Sequence, residues 1–161
     1  MRSRFPRMIL LAMLLCSGSA VAQSQTGRSA GQLLYLPIYS HIWHGDVDSS
    51  GKPAKTLVSI LVSIRNTDPA KPIRLTSAQY FDTDGKRIKE YVAAPTTIKP
   101  MGTYEIFVPR GDDTGGSGAN FVVAWKADSP VSLPLVEGVH ANLPAARSIA
   151  FITTARPIPS E

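Results

Sequence analysis

The sequence predicts an all-β fold, an Ig-like β-sandwich of about seven to nine strands. Two observations predict it. Short apolar runs recur about every ten positions, separated by Gly, Pro, Asn and Asp, which is the spacing of antiparallel strands and turns. Within those runs apolar and polar side chains alternate with period two, and no window holds a sustained helical pattern. A hydrophobic fraction of 43% in 161 residues excludes a wholly disordered chain and supports one ordinary core. The chain is too short for a TIM barrel or a two-domain enzyme. A small β-barrel is the alternative architecture.

The first run, residues 33–44, places Leu34, Leu36, Ile38 and Ile42 on one parity. Tyr35, Tyr39, His41 and Trp43 fall on the other, and side chains of opposite parity point to opposite faces. Pro37 has no N–H for a ladder, which predicts an edge strand or a break. Residues 45–55 read as a polar loop. Residues 56–65 (TLVSILVSIR) carry Val58, Ile60, Val62 and Ile64 on one face. β-Branched side chains suit a pleated surface, so this predicts a central strand.

Asn66-Thr67-Asp68-Pro69 supplies turn chemistry at its end. Residues 73–81 and 86–92 flank Asp82-Thr83-Asp84-Gly85, and Asp-Gly is a strong hairpin signal. Segments 96–98 and 103–108 follow. Residues 111–118 (GDDTGGSG) form a glycine-rich loop before the run 119–127. Pro130 and Pro134 mark the next turn, and runs 135–143 and 148–154 complete the set.

The N-terminus carries Arg2, Arg4 and Arg7, then a short apolar run, then Ala20-Val21-Ala22 before polar Gln23. That is the layout of a secretory signal peptide over residues 1–22. The run is shorter than the ~20 residues a bilayer span needs, and no later stretch reads as a span. The sequence thus predicts export to the periplasm or the medium, a flexible lead-in over 23–32 and one domain over 33–158. Leu14-Leu15 before Cys16 is a poor match to a lipoprotein signal, so no lipid anchor is expected. Cleavage after Ala22 would remove the one cysteine, and with it any thiol nucleophile or cysteine metal cluster.

The leader holds three arginines and no acid, so the formal charge falls from +5 to +2 without it. The only basic cluster, Lys86-Arg87-Ile88-Lys89, is followed at once by Glu90. A nucleic-acid footprint needs more clustered charge than this, so no nucleic-acid partner is expected.

Four stretches carry a family resemblance: residues 35–46 (YLPIYSHIWHGD), 63–68 (SIRNTD), 80–86 (YFDTDGK) and 113–121 (DTGGSGANF). Together they resemble a bacterial exported family known as domain of unknown function 3124, over roughly residues 33–158. The resemblance implies an exported domain with no established activity, and it assigns no catalytic residue.

Four groups of residues invite chemistry. Tyr35, Tyr39, His41 and Trp43 would form an outward aromatic row if Leu34, Leu36 and Ile38 face the core. Tyr and Trp bury much area at low entropy cost, so such a row suits a glycan or an envelope protein. Asp112, Asp113 and Asn120 around the glycine loop offer oxygen ligands, and the glycines allow close backbone approach. His41, His44 and Asp46 are an alternative set for a divalent metal ion, with His140 as a fourth candidate. In a continuous strand His41 and His44 face opposite ways, so the set needs a turn near Gly45. Asp82-Thr83-Asp84-Gly85 resembles the start of a calcium loop, but Lys86 stands where an oxygen ligand is required.

No pair of carboxylates and no Ser-His-Asp arrangement is singled out. The sequence therefore predicts a non-catalytic binding module without a cofactor. A periplasmic metal-binding protein is the alternative.

Overall fold

A computed structural model describes residues 27–159. The leader, Cys16 and the start of the lead-in lie outside the described residues. The described chain is all-β, with two antiparallel sheets that share one core and a separate two-stranded ribbon.

The larger sheet is built on β1 (Arg28–Pro37), β5 (Ile73–Phe81) and β9 (Asn120–Ser132), with β9 between the other two. β6 (Arg87–Glu90) and β7 (Thr96–Ile98) both pair with the far side of β5. β12 (Arg156–Pro157) closes the other edge against β1. The smaller sheet has the order β11 (Ile149–Thr154), β10 (Leu135–Asn142), β4 (Ser59–Arg65), β8 (Thr103–Val108). The ribbon pairs β2 (His41–Val47) with β3 (Pro53–Leu57). Both sheets keep free edges, so the barrel alternative does not hold.

The core lies between the sheets. Leu34, Leu36, Phe121, Val123 and Trp125 meet Ile60, Val62, Ile64, Ile106 and Val108, all of them buried. The β-branched face read from residues 56–65 is wholly enclosed, and β4 is indeed central, between β10 and β8. In β5 the inward set changes parity from Ile73 and Leu75 to Ala78 and Tyr80. A β-bulge between Leu75 and Ser77 inserts the extra residue.

Several expectations are corrected. The described residues hold twelve strands rather than seven to nine, because the runs 33–44 and 56–65 each divide, the second at Val58, and the short edge strand β12 is added. The run 33–44 divides after Pro37, and the next three amides leave the ladder. Ile38 N–H donates to Ala119 O, Tyr39 N–H to His140 Nε2, and Ser40 N–H to Gly116 O. Much of the polar loop 45–55 is strand, because it folds back on residues 41–44. β1 begins at Arg28, inside the expected lead-in. β9 continues through Pro130 to Ser132, where its pairing with β1 is bulged between Gly31 and Ser29. The Asp82–Gly85 stretch is a hairpin turn: Asp82 Oδ1 accepts from the amides of Asp84 and Lys86, and Gly85 has φ of 79°.

Candidate functional site: the β2–β3 ribbon and its root

The ribbon leaves the sandwich where Ser40 follows β1's crossover and Val58 leads into β4. Val58 N–H donates to Ser40 O at this root. An isolated two-stranded hairpin is marginal in water, so something must hold this one. His41 supplies the hold. Its ring is buried, and Nδ1 lies 2.5 Å from Asp113 Oδ1 in the glycine loop. The second carboxylate oxygen, Asp113 Oδ2, accepts from Lys55 Nζ on β3. One carboxylate therefore ties both strands of the ribbon to the loop. Burial pushes the Asp113 carboxyl up, but the hydrogen bonds from Lys55 and His41 outweigh it and hold it below the ordinary carboxylate value.

Trp43 and Lys55 are direct cross-strand partners. Lys55 Nζ sits 5.8 Å from the centre of the indole ring, and the His41 ring meets that ring edge-on at 4.9 Å. The Trp43 side chain is still 49% exposed. An acceptor carboxylate puts the His41 proton on Nδ1, which leaves Nε2 as the free nitrogen. Nε2 is enclosed and has no hydrogen-bond partner. The site thus displays an indole face and an ammonium on a braced ribbon, with an unsatisfied imidazole nitrogen beneath.

The glycine loop is packed into place. A Cβ on Gly115 would stand 2.1 Å from Tyr80 Oη, so the loop can cross there only as glycine. Thr83 Oγ1 donates to Gly115 O and accepts from Gly118 N–H, which locks the loop to the β5–β6 turn. Beneath it Tyr80 Oη and Ser40 Oγ are 3.0 Å apart, and Tyr80 stacks on Phe121. Three of the four stretches that carry the family resemblance meet at this end of the molecule.

The predicted aromatic row is not one surface. Tyr35 lies on the outer face of the larger sheet, in a groove of about 650 Å³ with Pro37, Thr154 and Arg156. Tyr39 is half-buried, edge-on to His140 and Phe151. His41 faces inward, and Trp43 alone joins Lys55 on the ribbon. The crossover at residues 38–40 breaks the alternation that would have aligned them.

The oxygen set also separates. Asp113 is engaged by His41 and Lys55, Asp112 caps Thr114 at 2.5 Å, and Asn120 opens β9.

The metal set does not come together either. His44 Nε2 pairs with Thr56 Oγ1 at 2.8 Å, and Asp46 lies exposed in the bulge between His44 and Val47. His140 is buried and stacked on Phe151 at 4.4 Å. It donates from Nδ1 to Gly138 O and accepts from Tyr39 N–H. Burial drives its pKa down to about 4, so it is neutral. Among the described residues no three His, Cys, Asp or Glu side chains are grouped to hold a metal.

Residues 31–158 match the family described as a protein of unknown function, DUF3124. The chain belongs to that family. No match was found among curated proteins. This DUF3124 chain is also similar to the crystal structure of Thermotoga maritima 1070. That likeness has a TM-score of 0.42 at 8% identity, over 78% of this chain and 92% of the other.

Sequence reasoning missed two features of this DUF3124 domain. Lys55 falls in the stretch whose composition reads as loop, and its place opposite Trp43 depends on a register set by the bulge at Gly45 and Asp46. Asp113 reads from sequence as an oxygen ligand, whereas in the fold it is the partner of His41, 72 positions away.

Proposed function

We propose that this domain is an exported, non-catalytic binding module. Its sandwich, which we read as Ig-like, is the scaffold, and the β2–β3 ribbon is the recognition element for a glycan or a protein of the cell envelope. One observation carries the reading. Trp43 is displayed half-exposed beside Lys55 on a ribbon that belongs to neither sheet and is braced by the His41–Asp113 bond. An indole held rigid at small entropy cost is a strong anchor for an apolar ring face or a partner side chain. The ammonium beside it adds a donor for hydroxyl or carboxylate groups. Export follows from the signal-peptide layout of residues 1–22.

The chain has two tryptophans, and Trp125 is buried, so change in exposed-tryptophan emission reports on Trp43. Titration with envelope glycan fragments and purified envelope proteins should shift that emission saturably for one of them. Trp43→Ala should retain the melting temperature and lose the binding at least tenfold, about 1.4 kcal/mol. A ligand bound equally well by Trp43→Ala, or an N-terminus still carrying residues 1–22 after expression in a bacterial host, would defeat the corresponding half of the proposal.

A further inference from the structure

The outer face of the smaller sheet carries an apolar row across all four strands. Phe107 on β8 is opposite Leu61 on β4, Leu61 is opposite Val139 on β10, and Val139 is opposite Ile152 on β11. Phe107 and Ile152, at the two ends, are 60% and 61% exposed. The outer face of a sandwich sheet is normally polar, because alternation sends the apolar residues inward. The larger sheet follows that rule. Its comparable row, Arg156–Tyr35–Val122–Gln79–Glu90, is charged at both ends. The smaller sheet does not.

Charge is arranged on either side of the apolar row. One step along the strands lies the row Glu105–Ser63–Glu137–Thr154, with two acids and no base. On the other side Ala141 pairs with Ala150 and Ser59, and Arg110 lines a groove of about 430 Å³ with Phe107, Ala141 and Leu143. Along β8 the face is thus acidic on one side of the apolar row, at Glu105, and basic on the other, at Arg110, while nearer β10 the exposed Arg65, one step beyond Ser63, offsets Glu137.

We propose that this face is where two copies of the chain meet, sheet on sheet, about a two-fold axis lying along the Phe107–Ile152 row. Rotation about that axis exchanges the flanks and keeps each strand's place along the row. Glu105 of one copy then faces Arg110 of the other, and the same contact recurs in reverse, as an isologous interface requires. The apolar rows meet each other at the centre, at the spacing of packed sheets, about 10 Å. No other axis in the plane of the sheet superposes the rows and pairs the opposite flanks on the same strand.

The area sets the strength. Four strands about 4.8 Å apart and six residues at about 3.4 Å each give a face of roughly 20 by 20 Å, or about 800 Å² for two copies before side-chain relief. That is below the size of a stable specific interface and in the range of weak, transient ones, so the dimer is reversible.

Sedimentation velocity on the purified protein from about 1 to 500 μM tests it. The expected result is a weight-average sedimentation coefficient that climbs from monomer to dimer. Phe107→Lys should stay monomeric throughout with an unchanged melting temperature, since its side chain is largely exposed. Glu105→Arg should weaken the dimer roughly tenfold or more. Glu105→Arg with Arg110→Glu should restore it, because the swap preserves the pairing across the axis. A protein that is monomeric at every concentration overturns the proposal. So does a Phe107→Lys variant that dimerises like the parent, or a double swap no better than Glu105→Arg alone.

Discussion

At opposite ends of β4 two polar clusters tie distant segments together, and they differ in what each leaves exposed. Past the C-terminal end of β4, Asn66 and Asp68 are both buried. Asn66 Nδ2 reaches the carbonyls of Lys71, Ile98 and Lys99, and its Oδ1 accepts from Asp68 N–H. Asp68 accepts from the amides of Ser132, Ala70 and Lys71 and from Arg28. Those amides, Ser132 first, hold its pKa down to about 2. Four segments converge there on the buried Asn66 and Asp68 side chains, with only the Arg28 guanidinium reaching solvent. At the N-terminal end, Asp113 joins His41 and Lys55, but the Trp43 indole keeps half its surface exposed. The first cluster is complete as a fastener. The second is braced and still has contacts to offer, which is the difference between a structural knot and a docking element.

The strongest way to test that difference is to break the knot. Asn66→Ala leaves the buried Ile98 carbonyl and the Asp68 amide without their side-chain partner and removes a donor from the part-buried carbonyls of Lys71 and Lys99, the latter keeping Gly102 N–H; each orphaned group costs about 1–3 kcal/mol when water cannot reach it. Some relaxation will admit water, so we expect a loss of about 3 kcal/mol, or roughly 10 °C in melting temperature. Thermal denaturation followed by circular dichroism reads it directly. A shift of only a degree or two would mean that the knot is no more structural than the ribbon root.

The pH dependence of stability should come from His140 in the mildly acidic range, with Asp68 contributing only far below it. The His140 ring is neutral in the fold with its pKa lowered to about 4, whereas the unfolded value is 6.5. The stability it contributes is therefore complete above pH 6.5 and drains as the pH falls through 4, because the unfolded chain takes up the proton first. The loss by pH 5 should be about 2 kcal/mol. Asp68 contributes above its unfolded value, and its contribution is lost only as the pH falls toward about 2. Urea denaturation at pH 7.5 and pH 5 measures the first term. His140→Gln should be less stable at both values but should show a flatter difference between them. An unaltered slope in that variant would place the titrating group elsewhere.

Much of the sandwich was legible because its signals are local. The alternation in residues 56–65 marks β4, and Asp84-Gly85 marks the β5–β6 turn, with no knowledge of partners. What stayed hidden depends on contacts between distant segments. The parity change in β5 comes from a bulge against β9 that no residue in 73–81 announces. The division of β1 from β2 is hinted at by Pro37, but its direction is set by acceptors on residues 116, 119 and 140. The candidate site suffered most. His41, Trp43 and Asp113 were all picked out for their chemistry, yet in separate roles, because only the fold brings residue 113 to residue 41. Tyr35 and Tyr39 joined the row only because strand alternation was carried through a crossover.

The smallest expected effect bears most directly on the comparison. Asp113→Ala removes the acceptor for His41 Nδ1 and for Lys55 Nζ together. The carboxylate is about one-third exposed, and partly solvated ion pairs contribute little, so the stability change should stay within about 1 kcal/mol. The ribbon, however, loses its side-chain tether to the glycine loop and retains its own ladder, which is marginal alone, and the backbone bonds of Ser40 at its root. Trp43 should then become more accessible to iodide while buried Trp125 stays protected, and binding through the ribbon should weaken as its entropy rises. A fall in stability matching that of Asn66→Ala, with no change in quenching, would make the His41–Asp113 bond a second structural knot and remove the asymmetry. A loosened ribbon on an intact sandwich would separate bracing from folding, as expected of an element that serves recognition.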